Sequence, residues 1–186
     1  MTVIGVVGLP GSGKSEAAAV ATELGVPVVT MGDVIRAECR ERGLDPATDH
    51  GTVAKALREE NGSGAIAERS LPVIEAERED SDTVLVDGIR SDVEVAAFRE
   101  AFGESFVLVE ITAPFETRAE RLDLRGRDAS VAEGGESLAE RDERELGFGM
   151  GEAMAMADVT VANTASLSAF RRRIQTLLEE GVEAES

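Results

Sequence analysis

Residues Gly8 to Ser15 read Gly-Leu-Pro-Gly-Ser-Gly-Lys-Ser, a complete phosphate-binding loop pattern. The octet follows the apolar run Val3-Ile4-Gly5-Val6-Val7 and leads into a pattern in which Ala17, Val20, Ala21 and Leu24 keep helical spacing. A strand, a glycine loop and a helix in that order commit the start of the chain to α/β architecture. Gly8, Gly11 and Gly13 free the backbone to wrap an anion with its N–H groups turned inward, with Leu9, Pro10 and Ser12 completing the loop. The helix that begins at the loop aims its positive end at the same anion. Lys14 reaches the outer phosphates of a nucleoside triphosphate, and Ser15 offers a hydroxyl to Mg²⁺. All eight residues are therefore expected to contact the nucleotide.

Strand-like runs recur at Thr2–Val7, Val26–Thr30, Thr83–Val86, Phe106–Thr112 and Asp158–Ala162, with helical patterns between them, so a largely parallel sheet is expected. Phe115, Ala119 and Leu122 form one apolar stripe, and Leu167, Phe170, Ile174, Leu177 and Leu178 another. Two insertions break the alternation. Residues 32–80 are helical in pattern, with turn signals at Gly43–Pro46 and Gly62–Gly64, and are too long for one crossover; they predict a helical lobe beside the sheet. Residues 124–149 hold Arg125-Gly126-Arg127-Asp128, the Gly134-Gly135 pair and the charged run Glu140 to Glu145, which predicts a mobile flap. The tail after about Glu179 is expected to fray. All of this fits one domain within 186 residues.

Charge narrows the partners. Thirty-seven acidic residues face 19 basic ones, a net charge of −18, and only Lys14 and Lys55 are lysines. The balance disfavours nucleic acid or an anionic membrane as the main partner. The distribution of acidic residues along most helices resembles a surface solvated in a salt-rich cytoplasm, as in halophilic archaea. The single cysteine, Cys39, excludes an internal disulfide, and the absence of a signal or long apolar stretch predicts a cytoplasmic protein. The single histidine, His50, has no second His or Cys nearby, which disfavours zinc.

Three further segments carry chemistry. Asp33, in Thr30 to Arg36 at the end of the second strand, is placed to hold Mg²⁺-bound water or to take a proton from an acceptor, with Arg36 to grip an acceptor phosphate; a plain helix N-cap fits the same Asp. Asp87 ends the apolar strand Val84-Leu85-Val86 and suits a second magnesium-supporting carboxylate, with Arg90 pointing into the same crevice. The arginines Arg118, Arg121, Arg125, Arg127, Arg141 and Arg144 suit a lid over a transferring phosphate, Arg125 and Arg127 foremost, though salt bridging to Asp123, Asp128, Glu140 and Asp142 explains such a group equally. Asn163, at the exit of the fifth strand, is expected either to read an adenine edge or to serve the turn.

These segments together resemble small P-loop kinases over nearly the full length. Thr30 to Arg36 is similar to the adenylate kinase segment Ser-Thr-Gly-Asp-Met-Leu-Arg, and Asp87-Gly88-Ile89-Arg90 to its Asp-Gly-Phe-Pro-Arg. Val3 to Arg36 and Ala157 to Phe170 resemble dephospho-coenzyme A kinase. The fullest match is to an archaeal family of adenylate-kinase-like proteins, through Gly8–Glu16, Met31–Arg36, Val86–Ser91 and Glu140–Gly149. The resemblance implies a three-layer P-loop NTPase fold with a five-stranded parallel sheet in the order 2-3-1-4-5, an acceptor-binding lobe, an arginine lid, and ATP with Mg²⁺ as donor. Glu16 stands where these kinases carry Thr, and no nucleoside-monophosphate signature marks the acceptor segment, so the acceptor is not implied.

The expected function is an ATP-dependent phosphotransferase acting on a nucleotide, nucleoside or similar small acceptor. In it Lys14, Asp33, Arg36, Arg90, Arg125 and Arg127 are the catalytic group, and Ser15 and Asp87 hold the metal. The rival is an ATP-hydrolysing regulator acting on a protein partner. Guanine specificity is disfavoured by the lack of an Asn-Lys-Xaa-Asp segment.

Overall fold

A computed structural model describes residues 1–129 and 136–181, with side chains described outside 123–129. Five strands, β1 (Thr2–Val7), β2 (Val28–Thr30), β3 (Thr83–Asp87), β4 (Phe106–Thr112) and β5 (Val159–Ala162), form one sheet. Every pairing is parallel and the order is β2-β3-β1-β4-β5. Nine helices lie around it among the described residues: α1 (Lys14–Glu23), α2 (Met31–Glu41), α3 (Pro46–Asn61), α4 (Ala65–Asp80), α5 (Asp92–Phe102), α6 (Phe115–Ala129), α7 (Leu138–Gly147), α8 (Met150–Ala155) and α9 (Leu167–Glu180).

The three layers follow from the period-2 alternation of the central strands. Val3 and Val7 of β1, with Val84, Val86 and Leu108, face a core built from α2 to α5 and α8. Ile4 and Val6, with Leu85, Val109, Ile111 and Val161, face the second core, built from α1 and α9. Gly5 breaks the apolar series for a packing reason. A Cβ there would lie 2.7 Å from Ile89 Cδ1 and 2.8 Å from the Phe106 ring, so the missing side chain is the space those two occupy. Phe106 in turn packs against Phe98 with its ring tilted by 32°, the centroids 5.7 Å apart.

The helical lobe turns where its glycines predict. Gly43 (φ 70°) follows α2 and Gly62 (φ 94°) follows α3, conformations that cost other residues strain. Asp45 caps α3 by accepting from the Ala47 N–H at 2.9 Å, and Pro46 occupies the first helical position. The flap region contains more regular structure than its composition suggests. The helix of the Phe115 stripe runs on to Ala129, and α7 opens with a reciprocal Ser137–Glu140 capping box. The side chains of Arg125 and Arg127, the Gly134-Gly135 pair and the tail 182–186 lie outside the described residues. No helix among the described residues is long and apolar enough to cross a membrane.

Because all strands run the same way, their carboxyl ends share one edge. Gly8, Met31 and Gly88 leave the sheet side by side there, flanked by Asn163, which is where open α/β sheets bind ligands.

Candidate active site

The loop between β1 and α1 is folded around glycines at φ 149° (Gly8), 78° (Gly11) and 125° (Gly13). Substitution is excluded by contact as well as by conformation. A Cβ on Gly8 would meet the Ile111 carbonyl oxygen at 2.3 Å, and one on Gly13 the Asn163 amide nitrogen at 2.5 Å. Lys14 Nζ donates back across the loop to the Gly8 carbonyl at 2.5 Å and the Leu9 carbonyl at 3.4 Å. Burial holds its ammonium below the ordinary lysine range, with the Asp87 and Glu145 charges opposing that shift. The Ser15 side chain is exposed at the start of α1, and Ser12 Oγ is buried without a partner. A glycine cradle, a bridging lysine, the exposed Ser15 hydroxyl and a nearby carboxylate together fit a triphosphate with its magnesium.

The loop borders a cavity of about 1050 Å³. Six of its residues, Gly8, Pro10, Gly11, Gly13, Lys14 and Ser15, line the wall together with Asp87 and Gly88. Leu9 packs instead against the apolar core, and Ser12 is buried beneath the loop. The same cavity is also lined by the lobe. Gly32, Ile35 and Arg36 present one face of α2, and His50, Ala54 and Arg58, four residues apart along α3, present another. Arg90 and Glu94 line it as well, and Glu145 of α7 accepts from Arg90 Nη1 at 3.0 Å.

The sequence had not pointed to His50, Arg58, Glu94 or Glu145. Glu94 carries the strongest local signal, a Ser91-Xaa-Xaa-Glu94 capping pattern, and Ser91 does cap α5. Yet the Glu94 carboxylate reaches one residue further back, accepting from the Arg90 N–H at 2.8 Å while Arg58 stands 3.6 Å away.

Two expected site residues are used otherwise. Asp33 does not line the main cavity. It sits one residue past Gly32, about 100° around α2, and lines a separate groove with Val34 and Ala37. Its exposed carboxylate accepts from Arg36 Nε at 2.8 Å, so it steadies that guanidinium rather than meeting the P-loop. Asn163 is 4% exposed, too enclosed to read a base edge. Its amide donates to the Ser12 carbonyl at 2.8 Å, and its oxygen accepts from Arg121 at 3.1 Å. A buried amide must satisfy both ends, and this one does so by bracing the phosphate loop.

Four other charged positions are also placed. Glu16, in the first turn of α1, pairs with Arg171 of α9. Arg118 is buried and bonds Asp142, the Pro10 carbonyl and the Ala113 carbonyl. Arg144 pairs with Glu136 and Glu145, while Arg141 and Arg144 both line the cavity.

Burial pushes the Glu94 carboxyl above the ordinary glutamate range, partly offset by the Arg90 N–H and the Arg58 charge. A group whose pKa is raised by folding favours the folded state most below its unfolded pKa, and that contribution is lost as pH rises through the raised value. Glu94→Gln keeps an oxygen for the Arg90 N–H and removes the charge. It is expected to flatten the fall in melting temperature between acidic and neutral pH; identical slopes for both proteins would exclude Glu94 as the source.

Comparison with known proteins places this site in a wider set. A family model described as an AAA domain matches residues 7–138. The chain is 58% identical over 178 residues to a UPF0200 protein of Halobacterium salinarum, covering 96% of this chain and 93% of that one. It is 48% identical over 183 residues to a UPF0200 protein of Methanothrix thermoacetophila, covering 97% and 98%. Among solved structures it is similar to TT1252 from Thermus thermophilus (TM-score 0.62, 21% identity, 97% and 98% covered). It is also similar in fold to a shikimate kinase from Acinetobacter baumannii (0.57, 18%, 97% and 94%) and a gluconokinase from Sinorhizobium meliloti (0.56, 19%, 98% and 94%).

Proposed function

We propose, from the premise that the chain belongs to the UPF0200 family, that it is an ATP-dependent small-molecule kinase of the nucleotide-kinase type. The observation that carries the reading is one cavity lined both by a phosphate loop and by a group of arginines. A glycine-rich phosphate loop with Lys14, Ser15 and Asp87 lines it, and so do the arginines Arg36, Arg58 and Arg90, in a chain whose net charge is −18. The fold likeness to a shikimate kinase and a gluconokinase supports a phosphotransferase and leaves the acceptor to experiment.

The loop amides from Gly8 to Ser15 and the Lys14 ammonium hold the β and γ phosphates, and the Ser15 hydroxyl and the Asp87 carboxylate hold Mg²⁺. The magnesium, when bound, neutralises charge that develops on the phosphates during transfer. Arg36 and Arg90 hold the acceptor in line, each steadied by its own carboxylate, Asp33 and Glu145. Transfer of this kind needs positioning and positive charge more than a strong base, so Asp33 serves through Arg36.

The test is ADP production in concentrated KCl with Mg²⁺, with and without nucleoside monophosphates, nucleosides, dephospho-coenzyme A and small hydroxylated metabolites. One acceptor is expected to raise turnover and become phosphorylated. Arg36→Ala and Arg90→Ala are each expected to raise its KM by about 10- to 150-fold, the value of a charge-assisted hydrogen bond. Slow hydrolysis indifferent to every acceptor would instead favour an ATP-hydrolysing regulator.

A further inference from the structure

The lobe helix α3 contributes the side chains of His50, Ala54 and Arg58 to the cavity wall, and the first of them has unused bonding capacity. His50 lies over Gly32: a Cβ built on that glycine would meet His50 Nε2 at 3.6 Å and Arg36 Nη1 at 3.4 Å. The ring and the guanidinium therefore both border Gly32 at ordinary contact distance. His50 Nε2 is buried and has no hydrogen-bond partner. The imidazole is held neutral by burial, which outweighs the Gly32 carbonyl, and by the positive charges of Arg36, Arg90 and Arg58 around it. A neutral imidazole has one N–H and one lone pair. The Gly32 carbonyl is an acceptor for the first, and no described residue donates to the second.

Arg58 is anchored only loosely, 3.6 Å from Glu94, and Arg36 pairs with an exposed Asp33. Both guanidiniums can turn to an anion in the cavity, whereas the lone pair beside them can be satisfied only by a donor. We infer that the acceptor is a small phosphate or carboxylate that also carries a hydroxyl or amine, its anionic group held by Arg36 and Arg58 and its donor read by His50. This rests on the kinase reading and narrows its substrate class. It also makes His50 a specificity residue: an anion of the right charge without a donor leaves the imidazole lone pair unmatched.

Because His50 is the sole histidine, its two ring nitrogens give the only imidazole signals in a ¹⁵N spectrum of histidine-labelled protein. The full chain, loaded with Mg²⁺ and a non-hydrolysable ATP analogue, is titrated with matched probes: methyl phosphate against glycerol 3-phosphate and adenosine monophosphate, and acetate against gluconate. At least one donor-bearing probe is expected to shift a ring nitrogen saturably and to bind about tenfold or more tightly than its donor-less partner. The phosphate and carboxylate arms identify which anion the site takes. His50→Phe is expected to abolish the preference within that pair. Arg58→Ala is expected to weaken both members together, with melting curves confirming that each variant is folded. Equal binding of all matched pairs, or a preference that survives His50→Phe, overturns the inference. Those outcomes are separable from failure of the kinase reading, in which no compound is phosphorylated in the turnover assay.

Discussion

Lys14→Ala is expected to lower acceptor-dependent turnover by at least about 10²- to 10³-fold, the cost of removing one preorganised charge from a transition state. The same substitution is expected to leave the unliganded protein as stable as the parent or slightly more so. The two effects have one cause. Lys14 is held against the Gly8 and Leu9 carbonyls in a half-buried position, where burial disfavours its charge. A lysine whose pKa is lowered by folding opposes folding while it is charged, and that cost fades only as pH rises toward the ordinary lysine value. The charge is useful only when phosphate oxygens take over from the carbonyls, which is the pattern of a residue kept for function at the expense of stability. ADP production measured beside thermal melts without nucleotide checks both halves. Turnover within tenfold of the parent would remove Lys14 from the mechanism, and a melt many degrees lower would show that the lysine supports the loop itself.

The contrast between Lys14 and its neighbours explains how far the sequence could be read. Gly8 to Ser15 encodes its own geometry, because each glycine sits where a side chain would strike backbone or a buried amide. The sheet was equally legible, since apolar alternation marks strands, and Gly43 and Gly62 mark the lobe's turns at the positions where α2 and α3 end. Helix phase was harder. Asp33 and Arg36 look like partners at one site, yet α2 starts directly at the end of β2, and this phase puts Gly32 and Arg36 on the cavity and Asp33 outside it. The remaining misses are long-range. Asn163 finds Ser12 across 151 positions and Arg90 finds Glu145 across 55, pairings no local pattern contains. His50 and Arg58 share a face of α3, but only the fold shows that this face meets the cavity.

Arg118→Ala is expected to be the most destabilising single charge removal in the chain, costing about 3–5 kcal/mol and about 10 °C or more in melting temperature for a protein of this size. Its side chain is 5% exposed and joins three parts of the site. Nη1 and Nη2 donate to the two Asp142 oxygens at 2.8 and 2.7 Å, tying α6 to α7. Nη1 also donates to the Pro10 carbonyl at 3.0 Å, and Nε to the Ala113 carbonyl at 3.2 Å, tying both helices to the phosphate loop and the end of β4. Truncation leaves a carboxylate that is 14% exposed and two carbonyls without their donor, and an uncompensated charge is what makes breaking such a pair costly. Two further measurements separate this from a surface effect. The loss should persist in concentrated KCl, which screens exposed pairs and spares enclosed ones. Asp142→Asn should recover part of the stability in the Arg118→Ala background while destabilising the parent, a coupling that distant sites do not show. Since the Pro10 carbonyl is one of the freed groups, the nucleotide should also bind more weakly in Arg118→Ala. A melt within about 2 °C of the parent, less than 1 kcal/mol on the same scale, would make the pair incidental and leave the α6–α7 junction to its apolar contacts.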